Sequence, residues 1–470
     1  TEKLPDPKPL FSPRLGFNWD VFEDKTTQVR GGTGVFTAQP AYVWISNQIG
    51  NNGMLTGFEQ LDNTKARPFN PNPDAYKPKE ISGKPASSYE LALTDPNFKF
   101  PQIWRSNLGI DQRLPFDLVG SVEFIYSKDL NGIYYINANL KDPDKTFVGA
   151  DTRPRWTSGN RINSKISNAV VLKNQDVGYS WNLAATIEKP WSNNWYAKVG
   201  GAYGVSMNTV DAGSIAFGSW NNNQHSNNPN NPGLGYSSYN PDTRIFGALS
   251  YKLDYFNFGS TTFSLFFDWF TYGRSSYVMG GDMNGDGGTS NDLIYIPKDK
   301  SEMYFQEYTI SYKDLENKDQ KYTVTAAAQA DAWENYIQQD DYLKNNRGKY
   351  SERNGVIHPL VARFDLGLTQ EFYYEFLGYR NGLEVRLDIL NLGNLINQDW
   401  GVGQVLTSSQ PLIVPSTAQG GPAAADGKPQ YRLRTISGGT FDKTAGKFIE
   451  PVFIDKTFTN TVFLEDVYRF

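Results

Sequence analysis

Apolar and polar side chains alternate with a period of two along many short stretches of this chain, as in strands with one greasy and one wet face. In LEVRLDI, Leu383, Val385, Leu387 and Ile389 fall on one side, and Glu384, Arg386 and Asp388 on the other. Near the beginning, Leu15, Phe17, Trp19 and Val21 oppose Arg14, Gly16, Asn18 and Asp20. The same reading covers Ile245, Gly247, Leu249, Tyr251 and Leu253, then Phe263, Leu265, Phe267 and Trp269, then Phe364, Leu366 and Leu368 beside Arg363 and Asp365. Five hairpins follow, with short connections around Glu23–Lys25, Pro115–Asp117, Pro190–Asn194, Tyr255–Ser260 and Tyr373–Asn381. The segments between hairpins are long, over 37–101, 129–177, 208–242, 273–358 and 393–460. Compact domains favour connections of about 4–6 residues. Barrels that cross an outer membrane instead put short turns on the periplasmic side and long loops outside. The predicted fold is therefore all-β, an antiparallel transmembrane β-barrel of which the alternation rule counts about 11 to 13 strands.

Within the loops, NNNQHSNNPNNPG at 221–233 is dense in Asn and Pro and is expected to bury no core. The Ala-rich stretch Thr325–Lys344, with Trp333 and Ile337, predicts a helix lying on the surface of its loop. In the closing TVFLEDVYRF, Val462, Leu464, Tyr468 and Phe470 share one face that Asp466 interrupts. Tyr468 and Phe470 resemble the C-terminal signature by which outer-membrane barrels reach their assembly machinery, which would leave the C-terminus in the periplasm.

Composition narrows the function classes. The 470 residues carry 45 Lys plus Arg against 50 Asp plus Glu, without the basic excess or stripe that a nucleic-acid partner needs. Aromatics are 14% of the chain although mean hydropathy is −0.54, a pairing natural to girdles at membrane interfaces. No run of 18 or more apolar residues predicts a transmembrane helix. With no Cys and only His225 and His358, zinc sites of Cys/His type and Cys nucleophiles are excluded. Neither histidine adjoins a nucleophile motif, and Asp340 and Asp341 sit side by side on the predicted helix and point apart. No enzyme activity is expected. TEKLPDPKPL has no apolar core of a secretory signal, so the natural start is expected upstream.

Several phrases resemble Oar-like TonB-dependent receptors of Bacteroidota: FSPRLGFNWD at 11–20, VRGGTGVF at 29–36, YVWISNQIGNNG at 42–53, GGDMNGDGGTSNDLIYIP at 280–297, RFDLGLTQEF, and VRLDILNLGNLINQDWG at 385–401. The resemblance implies a barrel of about 22 strands occluded by an N-terminal plug, energised from the inner membrane, with peptide- or protein-related traffic. Residues 1–470 carry no recognisable plug, TonB box or carboxypeptidase-like domain, so they read as the C-terminal part of such a barrel. Half a barrel leaves two unpaired edges in lipid, so other residues are expected to close the wall. The expected partners are outer-membrane lipid, the TonB complex through a plug outside this chain, and a surface lipoprotein or other outer-membrane subunits, with no nucleic acid. Two alternatives stay open: a passive porin or adhesin of about 12 to 14 strands, and a receptor-like structural subunit of a larger complex.

The most site-like stretch is GDMNGDGGTSND. Asp282, Asn284 and Asp286 alternate ahead of Gly287, as ligand positions do in a calcium loop. Position 12 is Leu293 and Asp292 falls one residue early, so the choice is between a looser Ca²⁺ loop and tight turns closed by side-chain to backbone hydrogen bonds. No other cofactor is expected. Arg363, Asp365, Glu384, Arg386 and Asp388 form a lumen-facing charged set on adjacent strands, which the resemblance turns toward the plug. Trp44, Trp104, Trp220, Trp333 and Trp400 are candidate stacking residues or, equally, girdle and packing residues.

Overall fold

The computed structural model describes residues 5–50, 65, 67–77, 89–255 and 258–461. Val462, Leu464, Tyr468 and Phe470 lie outside the described residues.

Ten long strands form one antiparallel meander in chain order: β1 (Arg14–Asp20), β2 (Thr27–Thr37), β3 (Gln102–Leu114), β4 (Leu118–Asp129), β5 (Tyr179–Ser192), β6 (Trp195–Asn208), β7 (Asp242–Tyr255), β8 (Gly259–Thr271), β9 (Leu360–Phe376) and β10 (Tyr379–Ile389). A two-residue strand, Gly235–Tyr236, adds to the end of β6 and brings the sheet to 11 strands. All five expected hairpins are present. Four of the turns use left-handed backbone: Asn193 and Asn194, at φ 50° and 67°, close a two-residue turn between Ser192 and Trp195. Such a turn matches the twist of the flanking strands, and Asn tolerates this conformation better than most residues. The last turn is tighter than the sequence suggested, with only Leu377 and Gly378 between paired Phe376 and Tyr379.

The alternation sorts as expected. Cross-strand partners Leu108 and Phe124, Phe124 and Leu183, and Leu183 and Tyr203 lie on one face. On the same face Leu249 pairs with Leu265, and Leu265 with Leu366. These side chains stay largely exposed, Leu183 at 47% and Leu249 at 45%, so the protein does not cover its own apolar wall. Gly31 lies under the Phe17 ring, which a Cβ there would meet at 2.8 Å; the ring covers the gap that glycine leaves in the face.

The loops depart from the sequence reading. The loop helix exists as α1 (Ala326–Gln339), capped by Thr325, whose hydroxyl accepts from the Ala328 N–H. It is not a surface helix. Trp333, Tyr336 and Ile337 are buried in a core with Tyr277, Ile294, Ile296 and Leu343 from the same loop and Leu412, Leu433 and Ile454 from the next. Local amphipathicity is modest because the one buried face includes Gln329 while the exposed face includes Ala327 and Ala328. The Asn-rich segment 221–233 is also built in. His225 is buried, and the Asn230 carboxamide accepts from the Asn137 N–H at 2.7 Å and from Trp220 Nε1 at 3.0 Å while donating to the Asn137 carbonyl. Carboxamides can satisfy buried backbone where no ladder runs, so low hydropathy here marks a polar network. A second loop core joins Phe98, Tyr135, Trp156, Leu172 and Trp220. It packs on a three-stranded sheet in which Ile166–Gln175 pairs with Tyr89–Thr94 and Gly132–Asn137.

Candidate functional site

Where these loops meet, the four residues marked by the GDMNGDGGTSND phrase come together in a buried knot. Asp282 accepts from the N–H groups of Gly285, at 2.6 Å, and Gly287, at 2.9 Å. Asn284 Oδ1 accepts from the Asp286 N–H, Asp286 from the Gly288 N–H, and Asp292 from the Met283 N–H. Gly285 has φ +90°, and a Cβ there would meet the Trp156 carbonyl at 2.4 Å, so no other residue fits that turn. Every one of the four therefore accepts from its own loop, and each side-chain oxygen has a second lone pair beside the N–H it accepts. Among the described residues no three His, Asp or Glu side chains are grouped to hold a metal ion.

Sequence reading missed the partners of this knot, which come from two other loops. His225 Nε2 lies 3.2 Å from Asp286 Oδ2 and 3.2 Å from Asn291 Nδ2. The Arg153 guanidinium, also buried, reaches Asp292 at 3.2 Å, Asp151 at 3.0 Å and the Leu293 carbonyl at 2.8 Å. Its face lies 5.3 Å from the Tyr350 ring centroid, and Tyr350 in turn donates to Asp151. No local pattern announces such pairs, because Arg153 and Asp292 are 139 residues apart.

The knot holds more carboxylates than cations, and its protonation reflects that. Burial, then the neighbouring Asp286 and Asp292, push Asp282 up to about 7. Burial pushes Asp292 up to about 6 although Arg153 opposes the shift. Burial works the same way on Asp286, but its bonds from His225, Gly288 and Asn284 win and hold it below the ordinary carboxylate range. Raised folded-state values mean that the folded knot binds protons more tightly than the unfolded loop. Between about pH 4 and pH 7 stability therefore falls as pH rises. Backbone exchange protection at Gly285, Gly287 and Gly288, corrected for intrinsic rates, is expected to be higher at pH 5.5 than at pH 8. Equal protection, or the reverse order, contradicts this charge balance.

On the inner face of the sheet, charges stand in pairs. Arg30 bridges Asp111 at 2.9 Å and Glu123 at 3.1 Å; Lys198 meets Glu188 at 2.9 Å; Lys252 meets Glu371 at 2.8 Å. The five residues expected to face a plug share this side of β9 and β10. Arg386 pairs with Asp388 at 2.9 Å, Arg363 lies 3.7 Å from Asp365, and Glu384 stands opposite Glu371. Asp365 also accepts from the Asn391 N–H at 2.7 Å.

A family model for the outer membrane beta barrel domain matches residues 4–419, which is most of the chain and all ten long strands. The chain belongs to the outer membrane beta-barrel domain family. The apolar face of this barrel domain is thus its lipid face, and the paired charges line its interior. No curated protein matches the chain. Among solved structures it is similar to the outer membrane transporter YddB from Escherichia coli, at 10% identity and TM-score 0.39 over 90% of this chain and 39% of that one. A mutant of the ferric enterobactin receptor PfeA from Pseudomonas aeruginosa gives 10% identity, TM-score 0.36, and 81% and 34% coverage. The siderophore receptor PirA from Acinetobacter baumannii gives 10%, 0.34, and 80% and 41%. The chain spans about two fifths or less of the length of these proteins.

Other candidates resolve within the barrel domain. Trp220 and Trp333 are core residues and offer no open ring, and Trp44 donates to the Gly213 carbonyl at 3.0 Å; Trp104 and Trp400 are exposed. Asp340 is buried and accepts from the Tyr277 hydroxyl and the Leu343 N–H, whereas Asp341 is exposed beside Lys344, so the two carboxylates point apart. One pairing escaped sequence reading: Ser275 Oγ lies 2.7 Å from His358 Nε2. His358 Nδ1 is buried without a hydrogen-bond partner among the described residues, so the group that orients the base in a nucleophilic triad is missing from this pair.

Proposed function

We propose that this chain is the C-terminal part of an Oar-like TonB-dependent receptor, which takes up or handles a large peptide- or protein-related substrate by energy-coupled transport. The observation that carries the proposal is the division of the sheet into a turn end and a loop end. Five short turns mark one end, and at the other the long loops fold into packed cores of their own. A general pore needs no such superstructure, whereas a receptor needs a rigid surface to recognise what it admits. In this reading the loops face outside, the C-terminus is periplasmic, and further residues of a longer polypeptide complete the wall and supply the plug. Arg363, Asp365, Glu384, Arg386 and Asp388 then meet that plug, and the TonB complex acts through it. Surface lipoproteins or other outer-membrane subunits are the companions expected on the loop side.

Two measurements on cells test the reading. Protease added to intact cells should cut within 272–359 and leave the hairpin turns untouched. Co-purification in detergent should recover TonB with the full-length product and lose it when the proton motive force machinery is deleted. Cleavage at the turns in intact cells, or a product that closes a barrel from these strands alone and binds no TonB, favours the passive porin instead.

A further inference from the structure

A cavity of about 470 Å³ opens between the third long loop and the end of the fourth, lined by Asp211, Ser214, Asn222, Gln224, Ser238 and Asn354 among others. Its size falls within the range of about 300–1,000 Å³ usual for ligand sites. The walls are held from outside: Asn47 Nδ2 donates to the Ser214 carbonyl at 2.7 Å, and Trp44 to the Gly213 carbonyl. Asn223 is pinned by the Thr209 carbonyl on one side and by the buried Arg353 on the other.

The charges at this cavity are already satisfied. Arg353 donates to Asn223, to the Asn208 carbonyl and side chain, and to the Gly235 carbonyl. Asp211 accepts from Asn208, Ser237, the Ser238 N–H and Asn354. An anionic ligand such as a phosphate or a ferric chelate would find no uncommitted cation there. What remains open is neutral. Asn222 Nδ2, Gln224 Nε2, Asn354 Oδ1 and the hydroxyls of Ser214 and Ser238 have no partner among the described residues. No aromatic ring lines the cavity, so a sugar ring lacks a platform to stack on. The floor is Gly213 and Gly218, where a Cβ would find no atom nearer than 3.8 Å, and Ile215 stands 59% exposed beside them.

Carboxamides offer a donor and an acceptor in the geometry of the peptide group, glycines let a backbone come close, and an exposed Ile suits an apolar side chain. We propose that this cavity binds a short, uncharged, extended peptide segment through its main chain. The proposal deepens the receptor reading and rests on it for the statement that the loops meet substrate.

The test uses the full-length product in detergent and a blocked neutral tripeptide, N-acetyl-trialanine amide, with maltotriose and inorganic phosphate as competitors of other chemistry. Saturable binding of the tripeptide alone is expected, weakened at least ten-fold by Asn222→Ala combined with Gln224→Ala. Ser214→Trp and Ser238→Trp, both at lining residues, should each abolish it. Absence of saturable tripeptide binding, binding as strong as wild type in the two tryptophan variants, or preference for maltotriose or phosphate overturns the proposal. Protease access to the loops on intact cells is read separately: loops that are outside but bind no peptide sink the cavity proposal only, and loops that are not outside sink the receptor reading.

Discussion

Replacing Arg153 with methionine should destabilise the loop assembly by about 3–5 kcal/mol, the cost of breaking a buried ion pair from one side. The side chain is 2% exposed and joins Asp151, itself buried, to the fully buried Asp292. Methionine keeps the volume but leaves two carboxylates in low dielectric, and the Leu293 carbonyl loses its donor. Lysine keeps the charge without the fork that serves Asp151, Asp292 and Leu293 together, so Arg153→Lys should recover only part of the loss. Pulse proteolysis of the loops across a urea series measures it, while heat-modifiable gel mobility reports on the sheet. The sheet should be unaffected, because no residue of the knot belongs to a long strand. Methionine behaving as wild type would mean that the ion pairs do not form.

Trp333→Ala should cost a comparable ~3–5 kcal/mol, through transfer and cavity effects together. The indole is fully buried and stacks on Tyr336 with ring centroids 5.3 Å apart. Its cluster draws Leu412, Leu433 and Ile454 from the fifth loop onto a helix of the fourth, so truncation should free both loops at once. Cleavage within 272–359 is expected to run faster than in wild type, and cleavage within 400–455 to rise with it. Cuts confined to the first range would mean that the two loops are not packed as one body.

The sheet was legible because its information is local. Strands such as Leu383–Ile389 state their two faces every second residue, and Asn193–Asn194 or Pro115–Asp117 state where the chain reverses. The loop assembly was illegible for the converse reason. Its bonds join Arg153 to Asp292, His225 to Asp286 and Leu433 to Gln329, and no periodicity spans such separations. The Asp282–Asp292 phrase marked a place where side chains converge, but spacing alone did not show that they accept from the loop's own N–H groups. Segment 221–233 misled because Asn reads as loop-forming, while here it replaces backbone partners inside a packed region.

The account stands on an uncovered apolar face that meets lipid. The chain has no native Cys, so single cysteines along β7 can carry spin labels in lipid vesicles without interference. Labels at Ile245, Leu249 and Leu253 should be accessible to oxygen and shielded from a water-soluble nickel reagent, whereas labels at Ala248, Ser250 and Lys252 should show the opposite. Access to the nickel reagent at all six positions, or loss of the alternation, would contradict the assignment of that face to the bilayer.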